Sequence, residues 1–265
     1  MIGNKRGVAL LIVLLVTALM IALVFEFSYA TRISLNSAVN FRDSQRAYFL
    51  ARSGIFAFIR FNNKLADLKT FIHQGEWGIV PIISGGDTEL RVKWEDEQGK
   101  INISSIRKQG DAYHPFYKWL VQLFTTKSID QNVLDTISDE QMNFYLPTQL
   151  HQVMSDEDVG KIEKDVTTVS SPPHLININT APLEVLTAMG ISGAEMIVTA
   201  RENKPFTQKA DVTRIVPIDD VTAGYLTYSS TLYKVSAFAM VGGYTKQIDA
   251  IVDTGSGRIL YWRAL

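Results

Sequence analysis

The chain has 265 residues, with 26 lysines and arginines against 27 aspartates and glutamates, and no cysteine. A formal charge of −1 and a pI near 6.4 give no bulk support for binding nucleic acid or an anionic surface. The lack of cysteine removes thiol nucleophiles, cysteine metal sites, disulfide frameworks and a lipidated N-terminal cysteine; the four histidines, His73, His114, His151 and His174, are not at metal-ligand spacing.

In chain order, Lys5-Arg6-Gly7 comes first and is followed by an uncharged run from Val8 to Phe25. About 20 apolar residues in helix cross a hydrocarbon core of about 30 Å, so the run can span a bilayer. The basic pair Lys5 and Arg6 on the short side predicts a cytoplasmic N-terminus and an exported remainder. Three fates are open to the segment. It can be cut as a secretory signal, for which Ser28-Tyr29-Ala30 supplies small residues, be kept as a plain anchor, or be cut between Gly7 and Val8 as a type IV prepilin leader. The third is preferred. The apolar run exceeds the roughly 7 to 15 residues of a secretory signal. In addition, a glycine between a basic pair and the run has no helical use and costs about 1 kcal/mol against alanine.

The helical pattern continues past the run. Phe41, Tyr48 and Ile55 recur every seventh residue with Ser44, Ala51 and Phe58 interleaved, a stripe that packs on a core, while Arg42, Asp43, Arg46 and Arg52 lie mostly off it. No proline occurs before Pro81. The expectation is one helix of about fifty or more residues, half in lipid and half on a globular domain.

Gly75 to Pro81 and Ser84 to Asp87 read as loops. Thr88 to Glu95 alternates with Leu90, Val92 and Trp94 on one face, and the pattern resumes at Ile101 and Ile103 after the Glu97-Gln98-Gly99 turn, which predicts a strand pair. From Ser104 to about Leu226 the period becomes helical in short pieces: Tyr113 to Phe124, Asn132 to Ile137, Ser155 to Lys164, Ala181 to Met189, Gly193 to Glu202 and Lys209 to Ile215. Ser155 with Asp158, and Ser192 with Glu195, resemble capping boxes. Alternation returns from Tyr233 to Val241, Gly242-Gly243 signals a hairpin, Tyr244 to Asp253 alternates again, and Gly255-Ser256-Gly257 leads into Ile259 to Trp262. The fold class expected is α+β: an antiparallel sheet on the long helix, with an all-helical domain inserted between its strands. The divisions are 1–7 leader, 8–30 membrane part, 31–103 helix and first strands, 104–226 helical insert, and 227–265 closing strands.

The sharpest motif is Ile176-Asn177-Ile178-Asn179-Thr180-Ala181-Pro182, followed by Met189-Gly190-Ile191-Ser192-Gly193-Ala194. Thr180 can cap a helix, Pro182 suits a first turn and Gly190 a helix end, which resembles a helix-hairpin-helix. A degenerate second copy starts at Pro205-Phe206 and Ala210-Asp211-Val212. In DNA-binding hairpins, glycine amides hold a backbone phosphate. Here Ser192 replaces one glycine and the flanking charge is mixed, so a packing module is the preferred reading and nucleic acid is not an expected partner. No nucleophile elbow or other enzyme signature occurs. No cofactor is expected; calcium is the one ion whose oxygen ligands Asp156-Glu157-Asp158 or Asp219-Asp220 could supply, though both read first as helix N-terminal charge.

Taken in order, several segments resemble the K-class minor pseudopilins of type II secretion, also called general secretion pathway protein K. These are Lys5-Arg6-Gly7 with Val8-Ala9-Leu10-Leu11, Tyr48 to Gly54, Trp94 to Ile103 and Asn177 to Ala181. The resemblance covers essentially the whole chain. It implies a pilin-like fold with a helix-hairpin-helix or SAM-like insert, and a non-enzymatic subunit anchored once in the inner membrane with its C-terminal domain in the periplasm. It also implies cleavage by prepilin peptidase at Gly7 and Val8, and a place at the pseudopilus tip with the I- and J-class pseudopilins. Most pilins carry Glu at the fifth mature position, where this chain has Ile12. The segment Asp135 to Leu146 lacks the acidic loop usual in the family, so no metal ligand is carried over. A membrane-anchored DNA receptor of the competence type, and a minor pilin of a related type IV filament, are the alternatives.

Overall fold

The computed structural model describes residues 5–61, 75–79, 85–106, 108–109, 112–139, 144, 147–169 and 174–265. Helix α1 runs unbroken from Lys5 to Phe61, as a stretch free of proline allows. The chain then forms β1 (Gly78–Ile79), inside a segment expected to be loop, and β2 (Thr88–Asp96). Short strands β3 (Ile101–Asn102), β4 (Lys108–Gln109) and β5 (Ala112–Tyr113) lead into α2 (Pro115–Lys127), α3 (Asn132–Asp139) and α4 (Asp156–Ile162). Next come β6 (Val166–Thr167), β7 (Ile176–Asn177), α5 (Leu183–Ala188), α6 (Ala194–Asn203), α7 (Lys209–Thr213), α8 (Asp220–Gly224) and β8 (Leu226–Thr227). The chain closes with β9 (Leu232–Val241), β10 (Tyr244–Asp253) and β11 (Arg258–Ala264).

Among the described residues, β1-β2-β9-β10-β11 form one antiparallel sheet in that order. Alternation selects the face turned to α1: Leu90 and Val92 of β2, Val235, Ala237 and Ala239 of β9, and Ile248, Ala250 and Val252 of β10 are buried against Ala51, Ile55 and Phe58 of the helix. Burying each larger side chain stabilises by about 1.5–3 kcal/mol. Gly242 and Gly243 join β9 to β10 with φ of 57° and 82°, the positive pair that a two-residue turn of type I′ requires.

The helix meets the sheet along the expected stripe at Tyr48, Ala51, Ile55 and Phe58, but not at Phe41. Phe41 is 68% exposed, whereas Asp43, Ala47, Ala51, Gly54, Ile55 and Phe58 are buried. Small residues decide the contact. A Cβ on Gly54 would stand 3.1 Å from the Ala237 Cβ and 3.2 Å from the Leu90 Cδ1, so the backbones approach where side chains are shortest. Asp43, expected off the buried stripe, instead sits over the hairpin at Gly242 and pairs with Arg42 at 2.9 Å.

The insert has a core of its own. Phe116, Trp119, Leu120, Leu123 and Phe124 of α2 are buried with Leu134, Ile162, Val185, Leu186, Ile197 and Val212. Ile101 and Ile103 belong to this core, and β3 pairs in parallel with β6, not back onto β2. The expected strand pair across the Glu97 turn is therefore corrected: β2 finds its partner in β9, after the insert. Apolar alternation on both sides of a turn does not say which layer each side serves. The Ser155–Asp158 cap is present, with the Ser155 hydroxyl accepting from the Asp158 amide at 3.2 Å. The Ser192–Glu195 box is absent, because Gly193 with φ of 82° caps α6 without a side chain. Pro182, not Thr180, is the N-cap of α5. Residues 140–143 and 145–146, within the segment read as lacking an acidic loop, lie outside the described residues.

Candidate functional site

Two regions carry functional content: the exposed length of α1 and the polar seam where the insert meets the sheet. Gly7 and Val8 lie exposed near the start of α1, after Lys5 and Arg6, and residues 1–4 lie outside the described residues. From Val8 through Phe27 the large apolar side chains are exposed, and an 18-residue window of this helix reaches a mean hydropathy of 3.2 with none of it buried. The helix is thus long and apolar enough to cross a membrane. Ile12 is 57% exposed on this segment. Further along, Leu35, Phe49 and Phe56 also stand out from the protein, on the side of α1 away from the sheet. Reasoning from periodicity missed this outer face, because a long amphipathic pattern shows only one apolar stripe at a time.

At the seam, Asp96 ends β2 and is buried. Its carboxylate accepts from the Gln98 amide at 2.8 Å, Asn177 Nδ2 at 3.0 Å, Thr180 Oγ1 at 2.6 Å and Ser230 Oγ at 2.5 Å. Burial pushes this carboxyl above its ordinary range against the pull of those donors. Gln98 Oε1 accepts from the Thr231 amide at 2.7 Å and the Leu232 amide at 3.2 Å, which pins the start of β9 to the end of β2. Gly99 passes so close to Thr180 that a Cβ would come within 2.9 Å of its hydroxyl. Beside it, buried Lys100 pairs with buried Glu97 at 2.9 Å, and Thr167 donates to the other Glu97 oxygen at 2.5 Å. Burial pulls the Lys100 pKa down, but the neighbouring Glu97 and Glu95 outweigh it and hold the ammonium above its ordinary value.

The asparagines of the motif serve the same seam. Asn179 Nδ2 donates to the carbonyls of Phe206 and Tyr228, each at 2.9 Å, and its Oδ1 accepts from the Phe206 amide at 2.8 Å. Arg201 donates to the carbonyls of Ile178 and Ala181 at 2.8 and 2.7 Å. Two segments far apart in sequence, Trp94 to Ile103 and Asn177 to Ala181, therefore form one bracket. The hairpin's cations are largely engaged by the protein itself: Arg201 as above, Lys209 with Asp220 at 2.9 Å, and Arg214 near Asp211 at 3.9 Å. The acidic clusters are placed at helix starts. Asp156 pairs with His151, Glu157 and Asp158 with Lys161, and Asp219 caps α8 through the Thr222 amide. Among the described residues, no three His, Asp or Glu side chains gather where they could hold a metal ion.

His114 and His174, distant in sequence, flank the Phe116 ring at centroid distances of 4.8 and 6.3 Å. Burial holds both imidazoles below their ordinary value of 6.5, and His114 lowers His174 further. The folded state then takes up protons less readily than the unfolded chain. Stability is full above that value and declines as the pH falls through it toward the folded pKa. Thermal unfolding of the full chain in detergent should have a lower midpoint at about pH 5 than at about pH 7. The drop should shrink in a His114→Gln/His174→Gln variant; an unchanged drop would assign it to other groups.

Residues 176–235, from β7 into β9, match the family described as Type II secretion system (T2SS), protein K. In fold, the chain is similar to a chain of the GspK-GspI-GspJ complex from the enterotoxigenic Escherichia coli Type 2 Secretion System. The TM-score is 0.63 at 11% identity, over 86% of this chain and 99% of that one. No curated protein matches the sequence.

Proposed function

We infer that this chain, whose residues 176–235 match the type II secretion system protein K family and whose fold is similar to that of a chain of the GspK-GspI-GspJ complex, is a non-enzymatic minor pseudopilin. Its N-terminus is cytoplasmic, α1 crosses the inner membrane once, and the sheet and insert stand in the periplasm. There it joins I- and J-type pseudopilins at the tip of a short fibre and acts in starting fibre assembly for protein export. The observation that carries this reading is α1 itself. A 57-residue helix whose first part is exposed and apolar, and whose last turns are built into a sheet, is a membrane anchor and a structural member at once. A plain anchor needs no such continuation.

The mature end should be Val8. Mass spectrometry of the N-terminus, on protein from membranes with and without prepilin peptidase, should give an end at Val8 only with the peptidase. Gly7→Arg places a long charged side chain at the cleaved bond and should leave the chain uncut; a mutant that still matures at Val8 would overturn the prepilin reading. Ile12 bears on position in the fibre. A buried carboxylate in lipid requires a partner, and a subunit with isoleucine there makes no such tie to the amine of a neighbour. That fits a subunit at an end of the fibre.

A further inference from the structure

We propose that the free edge of β11 takes up an extended segment of another polypeptide as a sixth strand, one that alternates apolar and acidic residues. The ladder sets the geometry. β11 ends the sheet order, and β10 is the only strand paired with it among the described residues. Leu265 and Gln247 exchange both backbone hydrogen bonds, at 2.8 and 3.3 Å. Antiparallel ladders alternate between bonded and unbonded pairs, so Arg263 and Tyr261 also bond to β10. Trp262 and Ala264, between them, turn their N–H and C=O groups away from β10 to the open side. A register shift between Ile251 and Val252 leaves Leu260 unpaired and ends the regular edge there. The open stretch is thus Tyr261 to Leu265, a length that suits one short added strand.

Side chains select the occupant. Trp262 packs on the core beneath α1, whereas Tyr261 packs on the other face of the sheet with Ile251. Residues of an added strand that stand beside Trp262 therefore meet an aromatic surface, and those beside Tyr261 and Arg263 meet the rim of a cleft. This cleft, of about 290 Å³, lies between the sheet and the insert. Two of its cations, Lys93 and Lys100, are paired with Glu95 and Glu97 at 2.9 Å each. Three others, Lys164, Lys234 and Arg263, have no ion-pair partner among the described residues. Arg263 lies across from Asp249, but that carboxylate accepts from Gln247 Nε2 at 2.9 Å, which leaves Glu163 as the one lining acid without a partner. An acidic side chain that enters along Arg263 is therefore attracted. A second copy of this chain is the wrong occupant. Gly255 to Leu265 holds Arg258 and Arg263 and no acid, so pairing edge to edge would set arginine against the same cations.

The test uses the full chain in detergent and, as probe, a short fluorescein-labelled peptide of alternating valine and glutamate, read by fluorescence anisotropy. The wild type should bind it saturably. Ala264→Pro removes an N–H on the open side and no bond of the ladder, so it should weaken binding tenfold or more with the thermal midpoint unchanged. Lys234→Glu with Arg263→Glu should weaken it as much and should favour a peptide of valine and lysine instead. Two further probes, each N-methylated at one alternate set of amides, leave the protein untouched. One should lose binding and the other keep it, because an added strand bonds along a single edge. Equal binding by both would reduce the contact to charge attraction and overturn strand addition. Displacement of the probe by free glutamate at matching carboxylate concentration would assign the cleft to a small carboxylate and overturn the choice of occupant. Absence of binding by the wild type would overturn the proposal outright.

Discussion

Asp96→Ala should loosen the insert from the sheet and cost on the order of 3 kcal/mol, since a buried donor left without an acceptor costs about 1–3 kcal/mol. The donors that lose this acceptor are Asn177 Nδ2, Thr180 Oγ1, Ser230 Oγ and the Gln98 amide, from β2's own turn, the Asn177 run and the chain entering β9; Asn177 Nδ2 keeps Ser230 Oγ and Thr180 Oγ1 keeps the Asn177 carbonyl. One substitution thus loosens three segments. Denaturant unfolding should show the loss, and limited proteolysis should cut the variant first near residues 97–99 or 228–231. Asp96→Asn keeps the shape but turns an amide toward other donors, so it should lose most of the same stability. An Asn variant as stable as the wild type would mean that the carboxylate's acceptor capacity does not hold the seam.

Gly54→Val should be nearly as damaging at the other interface. The new side chain must fit where a Cβ alone already stands 3.1 to 3.3 Å from Ala237, Leu90 and Val92. Overpacking of this kind typically costs about 1–3 kcal/mol. Gly54→Ala is the informative control, because a gain of about 1 kcal/mol in helix propensity opposes the close contact. It should stay near the wild type while valine does not. In thermal unfolding, the valine variant should melt several degrees lower, at about 2–4 °C per kcal/mol for a domain of this size. Equal midpoints for valine and wild type would show that the helix can lift from the sheet without loss.

Much of this architecture was legible because it is periodic. The unbroken helix follows from a long stretch without proline, and the closing hairpin from alternation around Gly242-Gly243. The insert's helices follow from short runs bounded by Ser155, Gly190 and Pro205. What stayed hidden depends on contacts across the chain. The partner of β2 lies beyond the whole insert, so the local continuation at Ile101 looked like the natural mate. Asp96, Asn177 and Arg201 gave no signal as a bracket, since a polar residue at a strand end or in a loop is unremarkable until its partners arrive. Asp43 was hidden for a simpler reason: helix periodicity ranks side chains by apolarity, while the sheet selected positions by size.

The seam also bears on how the chain can fold. Asp96 and Tyr233 are paired neighbours in the sheet, and the chain leaves at one and returns at the other. From the standpoint of chain entropy, joining β2 to β9 closes one very long loop, which delays strand pairing if it must happen by diffusion alone. An insert with its own core removes that delay. Once it has folded, its two ends are held side by side, and pairing β2 with β9 becomes as local a step as closing a hairpin. The sheet that clasps α1 can then be the last part of the molecule to form, after the helical head is complete.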